Sequence, residues 1–218
     1  LENVKLQVKD MDIHQIEGVG PNVSLKDTWT KMKENNIKTL PILRDEELLG
    51  VISTGDIATS YMDVYDNSIL SRAKTQYQNI VDTLEGTVVA GEADSIFKEG
   101  KVVIAAANPD MMENYIGTGD IVILGNRYEA QLCAIEMEAG CLIICEGAQV
   151  SKTITKVAKE HNCLLITTKF DTYTVARLIN QSIPVKHIMK KENLITFQTD
   201  DFTDNVKDIM VKNRHRAF

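Results

Sequence analysis

Apolar and polar positions along the chain divide it into three stretches with different periods. In 24-SLKDTWTKMKENN-36, apolar Leu25, Trp29 and Met32 fall at helical spacing. Ser24 is a good N-cap and Asp27 places an acid in the first turn, so the pattern predicts a helix with Trp29 in its core. The run 37-IKTLPIL-43 then reads as a strand, with Pro41 marking an edge or first position. A turn at 44-RDEE-47 closes a hairpin onto 48-LLGVIS-53, and Thr54-Gly55-Asp56 caps a second helix over 57-IATSYMDV-64.

From about residue 65 to 184 the pattern becomes βαβα. Near-continuous apolar runs at 87–91, 102–107, 121–125, 141–147 and 163–168 predict strands of a sheet covered on both faces. Amphipathic stretches at 128–139, 149–161 and 171–180 predict the helices between them, with Asp171 and Thr172 capping the last. The loop 117-GTGD-120 lacks the rest of a dinucleotide fingerprint and is read as a turn between strands.

The third stretch, 185–218, starts the first one again. Val8-Lys9-Asp10-Met11 is echoed by Val185-Lys186-His187-Ile188-Met189, and 28-TWTKMKENN-36 by 205-NVKDIMVKN-213. Met32 then aligns with Met210, Asn35 with Asn213 and Leu40 with Phe218. Two copies of one unit usually pack against each other, so the halves are expected to face across a pseudo-twofold axis. The second copy stops short of the hairpin and of the Ser-x-x-Asp at Ser53–Asp56, and is expected to be a truncated module.

Composition narrows the function classes. The 218 residues carry 24 Lys and Arg against 31 Asp and Glu, a net charge of −7, which argues against a general nucleic-acid or membrane-surface binder. No apolar run approaches the roughly 18–20 residues of a membrane span, the first residues do not resemble a signal peptide, and the expected compartment is the cytoplasm. The four cysteines, Cys133, Cys141, Cys145 and Cys163, form no C-x-x-C pair and are read as buried free thiols. His14, His161, His187 and His215 show no metal-ligand spacing, so no metal site or catalytic residue is expected in this chain.

The hairpin 37-IKTLPILRDEELLGVISTGDI-57 resembles the CBS domain, whose signature pairs an apolar–Pro strand with G-h-h-[ST]-x-x-D; Gly50, Ser53 and Asp56 match it. The stretches 125-GNRYEAQLCAIEMEAGCLIICEG-147 and 170-FDTYTVARLINQSIPV-185 resemble a DRTGG domain, although Gly125-Asn126-Arg127 stands where an acid–arginine pair is common. A CBS pair interrupted by a DRTGG domain resembles the regulatory insert of family II inorganic pyrophosphatases. The resemblance implies an α/β fold: a first CBS module of βαββα type over 1–64, a DRTGG domain over 65–184 and the start of a second CBS module over 185–218.

The same resemblance implies adenine-nucleotide binding without catalysis, with AMP and ADP inhibiting and ATP or diadenosine polyphosphates activating a parent enzyme whose catalytic domains lie outside this stretch. CBS modules commonly pair, which implies a homodimer. The motif acid Asp56 is then expected on the ribose hydroxyls and Ser53 near ribose or phosphate. Thr54 and Gly55 precede a helix whose N-terminus favours phosphate. Lys38 occupies a strand position that often meets phosphate. Arg214, His215 and Arg216 align with Asn36-Ile37-Lys38 of the first copy and form a cationic run suited to phosphates. Ile195 and Thr196 are expected to frame the adenine; their counterpart 16-IEGVG-20 is either a close-approach loop for ligand or a simple turn. The alternative for Ser53 and Asp56 is a plain helix cap, and for the chain a ligand-free structural or dimerisation module.

Overall fold

The computed structural model describes residues 5–214. Helix α1 (Leu25–Glu34) follows Ser24, whose hydroxyl accepts from the Asp27 amide at 3.0 Å. Its buried stripe is Leu25, Thr28 and Met32. Trp29 is 40% exposed, which corrects the expectation of a core tryptophan: the inward row runs through Thr28. Strands β1 (Thr39–Arg44) and β2 (Glu47–Ser53) pair antiparallel, and α2 (Thr54–Met62) follows immediately. Short helices α3 (Ile69–Arg72) and α4 (Tyr77–Thr83) lead into the middle sheet.

That sheet holds β3 (Thr87–Ala90), β4 (Val102–Ile104), β5 (Ile121–Leu124), β6 (Cys141–Ile144) and β7 (Leu164–Thr167), in the order β3-β7-β6-β5-β4. Strands β4 to β7 are parallel, and β3 closes one edge antiparallel to β7. Between them run α5 (Pro109–Met112), α6 (Tyr128–Glu136) and α7 (Lys152–Glu160), with α8 (Thr172–Leu178) after β7. Side chains alternate between the two faces along the parallel strands β4 to β7, and β3 carries an irregularity between Val88 and Ala90. Val122, Leu124, Leu142, Ile144 and Leu165 pack under α5, α6 and α7. Ile121, Ile123, Cys141, Ile143 and Ile166 face α3, α4 and α8 on the opposite side. All five expected strands are present, each shorter than its apolar run.

The opposite-side core does not stop at the sheet. Leu25, Met32, Leu40, Ile42, Ile52 and Ile57 of the first stretch belong to the same buried cluster, joined through Ile179, Ile183 and Val185. The loop 117–120 is a turn, as read: the buried Asp120 carboxylate accepts from the Gly117 amide at 2.8 Å and the Lys101 amide at 3.0 Å. Asp171 caps α8 through the Thr174 amide at 2.7 Å. Cys141, Cys145 and Cys163 are buried free thiols, and Cys133 is half-buried.

The internal repeat is visible bond by bond. Val8–Asp10 and Val185–His187 each form a 3-10 turn, and α9 (Thr203–Asn213) is the counterpart of α1. The second turn pairs with the start of the first helix: Leu25 donates to Ile183 at 2.9 Å, Val185 to Val23 at 2.8 Å and Lys186 to Pro21 at 3.0 Å. The first turn pairs with the start of α9 in the same way: Thr203 donates to Leu6 at 2.9 Å, Val8 to Asp201 at 2.9 Å and Lys9 to Thr199 at 2.7 Å. Each copy's turn thus clasps the other copy's helix, as a pseudo-twofold requires. The helix ends match too. Asn35 Nδ2 donates to Lys31 O and Asn213 Nδ2 to Ile209 O, both at 2.9 Å, and Asn36 and Arg214 both take left-handed φ, 51° and 54°.

Candidate functional site

A cavity of about 350 Å³ opens between the β1–β2 hairpin and the chain that follows the second 3-10 turn. The hairpin contributes Thr39, Pro41, Leu48 and Val51; the second copy contributes Lys190 and Glu192–Thr196; His14 and Ile16 complete it. The volume lies in the range of small-molecule sites, about 300–1,000 Å³.

Two glycines let these segments meet. A Cβ on Gly50 would lie 2.6 Å from Lys190 O and 2.9 Å from Met189 Sδ, distances that side chains do not tolerate. The signature glycine is therefore the floor over which the second copy crosses the first. Above it, Val51 and Lys190 exchange amide hydrogen bonds of 2.9 Å in both directions. On the other flank, a Cβ on Gly18 would lie 2.6 Å from Pro41 O. At Gly18 the glycine-rich 16–20 segment is thus tight for the chain's own packing; Val19 bridges Ile42, while Ile16 of the same segment lines the cavity.

Ser53 and Asp56 form a reciprocal cap on α2. The Asp56 amide donates to Ser53 Oγ at 3.1 Å, while the Ser53 amide and hydroxyl both donate to Asp56 Oδ2 at 2.8 Å. The capping role is therefore realised. It occupies one carboxylate oxygen and leaves the other, Oδ1, facing Lys190 Nζ at 3.8 Å. Asp56 is not itself a lining residue but adjoins the cavity through Lys190, and Ser53 pairs across the hairpin with the lining Thr39. Thr54 donates its amide to Lys38 O at 3.0 Å, which ties the motif to the start of β1, while the Lys38 residue is exposed.

Ile195 and Thr196 line the cavity, half-buried and exposed respectively, in a segment outside any strand or helix. Arg214 is the exposed left-handed residue that terminates α9 and is not among the cavity's lining residues. His215 and Arg216 lie outside the described residues. The sequence reading missed His14, Thr39 and Lys190. Only Lys190 had a local signal, its place just after the repeated turn, and nothing in the sequence put it over Val51.

The CBS domain family matches residues 8–63 and the DRTGG domain family residues 79–182. A crystal structure of the CBS and DRTGG domains of the regulatory region of Clostridium perfringens pyrophosphatase, complexed with the activator diadenosine tetraphosphate, superposes with a TM-score of 0.91 at 39% identity, covering 97% of this chain and 92% of that one. The chain belongs to this family of CBS–DRTGG regulatory regions. Among curated proteins, all of this chain aligns with the cobalt-dependent inorganic pyrophosphatase of Clostridium perfringens at 40% identity and with a probable manganese-dependent inorganic pyrophosphatase of Thermotoga maritima at 30%. It spans about 40% of the first and 39% of the second. CBS and DRTGG domains are what the chain matches, so this regulatory region carries the fold read from the hairpin and repeat, and no catalytic domain is among its matches. No helix among the described residues is long and apolar enough to cross a membrane.

Proposed function

We propose that this regulatory region senses adenine nucleotides in the cytoplasm and sets the rate of pyrophosphate hydrolysis by the catalytic domains of a parent enzyme. AMP and ADP inhibit; ATP and diadenosine polyphosphates activate. The first module spans 1–64, the DRTGG domain 65–184 and the second module begins at 185. The observation that carries this reading is a cavity shared by both copies, with Asp56 Oδ1 held at its edge by a cap that uses only Oδ2. A carboxylate oxygen so fixed is preorganised to accept a ribose hydroxyl in a charge-assisted bond.

In this arrangement Ile195 and Thr196 frame the base, Ser53 and Thr54 meet the ribose and first phosphate, and Lys38, Arg214, His215 and Arg216 supply positive charge to the phosphates. Regulation needs two states that bind the ligands unequally. In a homodimer, mononucleotide phosphates from two subunits crowd near the axis, whereas a diadenosine ligand joins two adenosine pockets through one tether and gains effective concentration. The complex of the Clostridium perfringens region with diadenosine tetraphosphate supports this reading.

The test is calorimetric titration with AMP and with diadenosine tetraphosphate on wild type and Asp56→Asn. Asparagine retains an oxygen for the cap but removes the charge. Tighter diadenosine binding at half the AMP stoichiometry, and loss of both in the variant, is the expected result. Absence of heat from either ligand leaves the second reading, a ligand-free pairing module, which the complete Ser53–Asp56 capping box favours.

A further inference from the structure

We infer that Lys190 is the residue that makes the cavity select phosphorylated over unphosphorylated adenosine, by leaving Asp56 for the ligand's first phosphate. The inference rests on the reading of the cavity as an adenine-nucleotide site. Among the described residues that line the cavity, Lys190 is the one lysine or arginine. Its backbone is fixed by the paired 2.9 Å hydrogen bonds to Val51, so its side chain pivots from an anchored point. The side chain is 70% exposed and free to swing.

Its present partner is a weak one. At 3.8 Å the ammonium is beyond hydrogen-bond distance from Asp56 Oδ1, and with the lysine side chain 70% exposed to solvent the ion pair contributes little to stability. A phosphate offers more charge and more acceptor oxygens, so transfer of the lysine from carboxylate to phosphate is favourable. The same movement uncovers Oδ1 for the ribose. One side chain thereby couples recognition of sugar and phosphate. Charge balance gives the reverse argument. With Lys190 neutralised, the described lining would keep Glu192, with Asp56 adjoining it, and would hold no lysine or arginine, so this part of the site would lose its attraction for the first phosphate.

The experiment compares AMP with adenosine on wild type, Lys190→Met and Lys190→Arg by calorimetry, with thermal melting to check the fold. Methionine keeps an unbranched stem and the backbone bonds to Val51. The expected outcome is that Lys190→Met weakens AMP about tenfold or more while adenosine stays within about twofold of wild type, and that Lys190→Arg restores AMP. Equal losses for the two ligands, or an unchanged AMP affinity, would overturn the role of Lys190 while leaving the cavity a nucleoside site. Failure of wild type to bind either ligand would overturn the reading of the cavity and the inference with it.

Discussion

Gly50 lies directly beneath Lys190: a methyl group added to Gly50 would sit 2.6 Å from the Lys190 carbonyl oxygen. Since the obstructing atom is backbone rather than the end of a flexible side chain, one chain must give way. Gly50→Ala is expected to cost about 1–3 kcal/mol and to lower the melting temperature by about 2–4 °C per kcal/mol. Hydrogen exchange locates the damage: the Val51 and Lys190 amides, which bond each other's carbonyls, should lose protection before the β5–β6 ladder does. Unchanged protection at Val51 would mean that the crossing tolerates a side chain.

The two clasps of the pseudo-twofold are alike in bonding and unlike in burial. Val185 is fully buried in the shared core, whereas Val8 is half-buried and outside it. Val185→Ala should cost about 1.5–3 kcal/mol, and Val8→Ala less than about 1 kcal/mol. Urea unfolding measures both. Equal costs would show that the amino-terminal turn is packed as tightly as its twin.

The Ser53–Asp56 cap should behave as a unit. Ser53→Ala and Asp56→Ala are each expected to cost about 1 kcal/mol, and the double variant less than their sum, because each single change already breaks bonds made by the other residue. Additive losses would indicate two independent interactions. Asp56→Asn should fall between wild type and alanine in stability, which separates the cap from any effect on ligand binding.

Buried thiols make the fold sensitive to alkali. Burial pushes the Cys163 thiol up to about 12 and raises that of Cys141 well above its ordinary value. In the unfolded chain a thiol ionises near about 8.5, so above that pH the unfolded state sheds protons that the native state retains. The stabilisation present below about pH 8.5 is lost progressively as pH rises toward the native value. Urea midpoints should fall between pH 8 and 10.5, and less so in Cys163→Ala. At neutral pH an alkylating reagent should reach half-buried Cys133 before the other three.

The sequence alone determined the elements and their kinship. Ser24, Asp171 and the Ser53–Asp56 pair announced three helix starts because capping is chemistry between residues three apart. The apolar runs announced all five strands of the sheet because both its faces are covered. The repeat was legible down to Asn35 and Asn213, since equivalent backbone needs select equivalent residues. The burial of Trp29 was misjudged because spacing alone cannot tell which of two adjacent rows on a helix meets a neighbour. Helices α3, α4 and α5 went unseen because four to seven residues are too short to establish a period and no side-chain cap announces them, as Asp171 announces the equally short α8.

Only the tertiary structure decided where the cavity lies and what charge it holds. Lys190 stands far from Asp56 along the chain, and the glycine between β1 and the second copy reads in the sequence merely as part of a motif. Their meeting depends on the crossing of two copies over Gly50, a close approach of backbone to backbone that leaves no periodic or compositional trace. Local hydrogen bonding writes itself into neighbouring residues; long-range packing is recorded only in which atoms leave room for which others.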